Sequence, residues 1–137
     1  MDRIVDASGK TVKKYKADYE DISDTLTDSQ WDALHSGMRQ VVSTMDRFQG
    51  FDIPVAGKTG TAQQTGHANH GLFIGYAPYD DPEITIAVRI ANGYSSHNAA
   101  TAARNVISYY YKETSMKDIK EMKAAGVNGN TRNSVAD

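Results

Sequence analysis

The residues with the clearest chemical potential are Gly57-Lys58-Thr59-Gly60-Thr61, one amine and two hydroxyls set among glycines. The first chemistry to test is phosphate binding. A phosphate loop needs a glycine five positions before Gly57, where the backbone wraps the anion, and a helix directly afterwards. Position 52 is Asp52, Gly50 lies too far away, and the polar residues 63–69, with Gly66, read as a loop. Both requirements fail. The plain alternative is a strand with a surface lysine and glycines that let another group approach the backbone. Two further candidates are weaker. His67 and His70 have a spacing that suits metal ligands on one helix face, but their segment is a Gly- and Asn-rich loop with no obvious third ligand. A solvated or locally bonded pair is the simpler reading, although His70 stands where a strand begins and could face a substrate. Lys112, Lys117, Lys120 and Lys123 alternate with Glu113, Asp118 and Glu121, the pattern of a solvated helix face.

The elements that must position Lys58 follow from periodicity. Val55 to Ala62 is small and partly β-branched and opens after Pro54; Leu72 to Ala77 forms a second strand; Pro78 to Pro82 is a turn. Ile84, Ile86, Val88 and Ile90 alternate with Glu83, Thr85, Ala87 and Arg89, the clearest period of two in the chain. Such short links favour an antiparallel meander, because parallel crossovers need a dozen or more residues. Upstream, Thr27-Asp28-Ser29-Gln30 reads as a capping box that opens a helix over residues 28–44. Trp31, Leu34, Met38, Val41, Val42 and Met45 fall on one face of it. Ser95 or Ser96 can cap a second helix, with Ala99, Ala103, Val106 and Tyr110 at helical spacing. Residues 3–5 and 11–15 flank a Ser-Gly turn and suggest a hairpin. The fold class expected is α+β: an antiparallel meander with packed helices. Residues 113–137 are polar and are expected to form a short helix at most, then a disordered tail.

The 137 residues, with 39% hydrophobic and 23% charged, suit one globular domain rather than two. A net charge of -2 gives no electrostatic reason to expect nucleic acid. Zero cysteine excludes disulfides and thiolate metal sites. No apolar run reaches the roughly 18 residues of a membrane helix, and residues 1–30 hold no signal-peptide core. Any export signal or membrane anchor is therefore expected on sequence outside this chain.

Val55-Ala56-Gly57-Lys58-Thr59-Gly60-Thr61-Ala62-Gln63, followed by His70-Gly71-Leu72-Phe73-Ile74-Gly75-Tyr76-Ala77-Pro78, resembles the transpeptidase domain of class B penicillin-binding proteins. The Trp31 helix with Gly37-Met38 and Val41-Val42, the turn Asp80-Asp81-Pro82-Glu83 and the strand after it are similar to the same family. The hairpin at Ile4-Val5-Asp6 and the helix ending Tyr109-Tyr110-Tyr111 are similar to its elongation-type members. The likeness runs from about Asp2 to Lys112, so 1–112 is expected to be the C-terminal portion of such a domain, with 113–137 a tail.

The resemblance implies a serine-type D-Ala-D-Ala transpeptidase that cross-links peptidoglycan stem peptides, is acylated by β-lactams, uses no metal or cofactor and works at the outer face of the bacterial membrane. It implies that Lys58 supplies charge toward a proton-shuttling serine and that Thr59 offers its hydroxyl to the substrate carboxylate. Gly60 keeps the backbone bare, and Thr61 gives its N–H to the oxyanion hole and its carbonyl to the substrate. Lys58 and Thr61 are thus the catalytic candidates; Lys58, Thr59, Gly60 and Thr61 bind substrate. Two departures stand out. The 137 residues contain no Ser-x-x-Lys, hence no nucleophile, and Leu72 replaces the tryptophan common at its place. Ser96-His97-Asn98 matches Ser-x-Asn but follows Lys-Thr-Gly instead of preceding it, so it reads as a helix start. The expectation is a fragment inactive alone, whose partners are stem peptides, β-lactams and the missing N-terminal part of its domain. A non-catalytic peptide- or partner-binding module using the same strand is the alternative. The strand 84–90 is expected to bare an edge and drive self-association.

Overall fold

The structure is a computed structural model that describes residues 3–16 and 18–121. Contacts divide the chain into two units, Met1–Trp31 and Asp32–Asp137. The first holds an antiparallel hairpin of β1 (Arg3–Val5) and β2 (Thr11–Lys14), with Arg3 opposite Lys14 and a bulge after Ile4. Asp6 closes its turn. Its Oδ1 accepts from the backbone N–H of Ser8 at 2.9 Å and of Lys10 at 3.0 Å. A single 3-10 turn, Ser23–Thr25, follows; its Ser23 carbonyl accepts from Trp31 Nε1 at 2.9 Å.

Helix α1 (Asp28–Ser43) begins as the capping box requires. The Thr27 N–H donates to Gln30 Oε1 at 2.9 Å, and the Gln30 N–H reaches Thr27 Oγ1 at 3.4 Å. Its apolar stripe is covered unevenly. Val42 is buried, whereas Leu34 is 46% exposed, so the periodic face contributes to the core mainly in its last turns.

The second unit is built on a meander of β3 (Ala56–Ala62), β4 (His70–Ala77) and β5 (Ile84–Ile90), antiparallel throughout and ordered β3-β4-β5. Helix α2 (Ser96–Tyr110) packs on one face of it. Ser95 caps α2, its Oγ accepting from the His97 N–H at 3.2 Å, so Ser96-His97-Asn98 is a helix start. The buried stripe of α2 is Ala99, Ala100, Ala103 and Ile107; Val106 and Tyr110, expected on that face by spacing, are exposed. The alanines, the shortest side chains on the helix, let α2 lie close to the strands. The core adds Phe73 and Ala77 from β4, Val55 before β3, and Phe48 from a 3-10 turn at Asp46–Phe48. Phe48 and Phe73 stack with centroids 6.0 Å apart. Burying each large side chain contributes about 1.5–3 kcal/mol. A short α3 (Met116–Glu121) appears in the tail expected over residues 113–137, where a brief helix was expected; residues 122–137 of that tail lie outside the described residues.

Candidate functional site

Lys58, Thr59, Gly60 and Thr61 all lie on β3, the outermost strand of its sheet, and no strand among the described residues pairs with its free edge. Register fixes their facing. Lys58 pairs with Ile74 and Gly60 with Leu72, whereas Thr59 pairs with Phe73 and Thr61 with Gly71. Since successive side chains alternate, Lys58 and Gly60 belong to the face turned away from Phe73, and the two threonines to the other pleat. The four residues are thus contiguous along the edge without sharing a face. A ligand can meet all of them only by lying along the edge.

Three features shape this strand. First, Gly57 and Gly75 stand opposite each other, and the Phe73 ring fills the space above them. A Cβ on Gly57 would lie 2.5 Å from Phe73 Cζ and 2.7 Å from the Ile74 carbonyl oxygen, so nothing larger than hydrogen fits. Second, a Cβ on Gly60 would meet Leu72 Cβ at 3.3 Å, so the glycine keeps the Lys58 face low beside that strand. Third, Lys58 is exposed, and its Nζ donates to the Thr59 carbonyl at 2.6 Å, which draws the ammonium back along the edge.

The Lys58 face carries Ile74, 55% exposed, at its centre. Towards the Pro54 end it becomes aromatic. Tyr76 makes an edge contact with His35 of α1 at 5.6 Å and stacks on Tyr79 at 6.4 Å. Burial, then the neighbouring Tyr79, raises the Tyr76 phenol above its ordinary value. Arg39 of α1 donates to the Val55 carbonyl at 3.2 Å and fixes the approach to β3. At the other end His70 pairs with Ala62, and its Nδ1 accepts from the Asn92 N–H at 2.9 Å. That nitrogen is committed to holding the turn after β5, which matches the locally bonded reading. Periodicity did not reveal the Phe73 plate over two glycines or the Phe48 contact; the only signal available was the unusual density of glycine in β3 and β4.

Chemically, an ammonium and two hydroxyls on a bare strand edge suit an extended ligand that carries a negative charge. A groove of about 650 Å³ lies elsewhere, at the end of α2, and Lys58 does not line it.

Comparison with known proteins identifies the family. Residues 2–108 match the family described as the penicillin binding protein transpeptidase domain. Peptidoglycan D,D-transpeptidase MrdA of Acinetobacter baumannii is 36% identical over 102 residues, which are 61% of this chain and 15% of that protein. Its namesake from Haemophilus influenzae is 34% identical over 116 residues, 69% of this chain and 18% of that protein. The crystal structure of Pseudomonas aeruginosa PBP2 in complex with WCK 5153 superposes with a TM-score of 0.56 at 32% identity, covering 78% of this chain and 23% of that one. The chain therefore spans less than a fifth of the length of these curated relatives. Its α+β sheet and helices are those of the matched domain, and the chain belongs to the penicillin-binding transpeptidase family.

Proposed function

We propose that this chain supplies the substrate-binding strand of a serine-type D-Ala-D-Ala transpeptidase and needs a nucleophile from outside its 137 residues. The observation that carries the reading is the position of Lys58-Thr59-Gly60-Thr61 on the open edge of β3, in a chain without Ser-x-x-Lys. In this reading a stem peptide lies antiparallel along β3. Lys58 lends positive charge to the proton relay of the attacking serine, and the Thr59 hydroxyl holds the terminal carboxylate. Gly60 leaves room for the peptide backbone. The Thr61 N–H stabilises the oxyanion as the carbonyl becomes tetrahedral, where a well-placed donor contributes most. Residues 1–112 are the C-terminal portion of the domain, and 113–137 extend beyond it. The site of action is the outer face of the cell membrane, with the anchor on another part of the parent; no described helix is long and apolar enough to cross a membrane.

Labelling with a fluorescent penicillin tests this. The chain alone is expected to remain unlabelled, and labelling is expected to appear once an N-terminal piece bearing Ser-x-x-Lys is supplied. Replacing Lys58 by Ala should then cut the acylation rate at least a hundredfold, the size of losing one charge-stabilising partner. A labelled chain in isolation would overturn the proposal. The second reading, a non-catalytic peptide-binding module, is favoured by the same bare edge. It predicts peptide binding by the isolated chain and no labelling under either condition.

A further inference from the structure

The start of β4 is tied down one residue at a time. The Tyr94 N–H donates to the Asn69 carbonyl at 2.9 Å, and the Asn92 N–H donates to His70 Nδ1 at 2.9 Å. Gly71 lies directly beneath the Ser95 carbonyl, which leaves no room for a Cβ. All three contacts come from the one short turn between β5 and α2. Helix α2 holds that turn from behind. Asn98 Nδ2, in its first turn, donates to the Gly93 carbonyl at 2.9 Å, and Ser95 is its cap. Asn92 and Tyr94 both take left-handed backbone, with φ of 52° and 64°. Residues with side chains keep that conformation where surrounding contacts enforce it.

This clasp bears on the Lys58 strand through the ladder. Thr61 pairs with Gly71 and Ala62 with His70. Strand β3 is outermost and a polar loop follows it, so among the described residues only β4 sets the height and direction of its last residues. His70 is half-buried and acts through one ring nitrogen. Because Nδ1 accepts, the ring proton sits on Nε2.

We infer that His70 is a positioning residue for Thr61: through the Asn92 turn it holds the end of β3 where the Thr61 N–H meets the developing oxyanion. The chemistry rests on the transpeptidase reading above; the clasp does not. The imidazole touches no reacting atom. A donor aimed at a transition state works because its place is fixed before reaction. A misplacement of about 1 Å can cost about a hundredfold. The loss should fall on the acylation step more than on penicillin binding. Lys58 and Thr59 pair with Ile74 and Phe73, farther along the strand from the clasp.

The test supplies the full chain with the N-terminal piece bearing Ser-x-x-Lys and follows fluorescent penicillin labelling over a concentration series. His70→Ala should lower the rate at saturation about tenfold and leave the half-saturating concentration within about twofold. His70→Asn places an amide oxygen where Nδ1 accepts and should restore the rate to within about twofold. Asn98→Ala frees the same turn from the helix side. It should slow labelling comparably and add little to His70→Ala, as parts of one unit do. Amide exchange on the full chain reads the clasp without catalysis. There His70→Ala should speed exchange at residues 60–62 and 92–94 and leave Tyr76 and Ala77 unchanged. An unchanged rate for His70→Ala, a loss that Asn does not rescue, or a change confined to half-saturation overturns the positioning role. Unchanged exchange overturns the clasp. If the unmodified chain stays unlabelled beside the N-terminal piece, the transpeptidase reading fails and takes the catalytic part of this inference with it, while exchange still decides the clasp.

Discussion

The β1–β2 hairpin and the β3–β5 sheet are both antiparallel, yet they are held by different forces. Every residue of β1 and β2 is exposed, Val12 by 67%, and the shape rests on Asp6 bonding its own turn. In the sheet, Phe73 and Ala77 are fully buried beneath α2. Turn chemistry alone can shape a hairpin but leaves it marginal. An apolar layer makes a sheet whose register cannot slip without turning its core toward water.

That contrast can be broken from its strong end downward. Phe73→Ala should cost about 3–5 kcal/mol, since it empties the space between Phe48 and two glycines, and urea unfolding would register it. Gly57→Ala should cost about 1–3 kcal/mol by overpacking against the Phe73 ring and the Ile74 carbonyl, with a matching loss in thermal midpoint. Ser95→Ala removes the cap of α2 and should cost about 1 kcal/mol in the same measurement. In the hairpin, Val12→Ala should change global stability by less than about 0.5 kcal/mol; a larger loss would show that the hairpin is packed after all.

The smallest effect is a titration. The Ser8 hydroxyl first, and then the Lys10 N–H, hold the Asp6 carboxyl below its ordinary value of 3.8. A lowered folded value means the turn gains stability above the unfolded value and loses it as pH falls through the folded one. Amide shifts of Ser8 and Lys10 should therefore move together below about pH 4 while those of β4 stay still.

Much of this was legible in the chain. The alternation of Ile84 to Ile90 located β5 to the residue, and Thr27 with Gln30 placed the start of α1. Lys58 could be put on a strand because its neighbours are small and a loop follows. What periodicity missed is set by partners distant in sequence. Val106 and Tyr110 share helical spacing with Ala103, yet α2 turns Ile107 to the sheet, because the strands demand the narrow alanine side of the helix. Phe48 sits in a turn too short to show a period, and its burial depends on Phe73, 25 positions later. Strand β4 begins at His70, two residues ahead of the apolar run, because Ala62 offers His70 a partner in the ladder.

The ring of Phe73 also limits what variation this strand can tolerate. Positions 57 and 75, on neighbouring strands, are both closed to any side chain by that one ring and by backbone carbonyls beside it. A side chain gained at either place would force the ring out of its stack on Phe48.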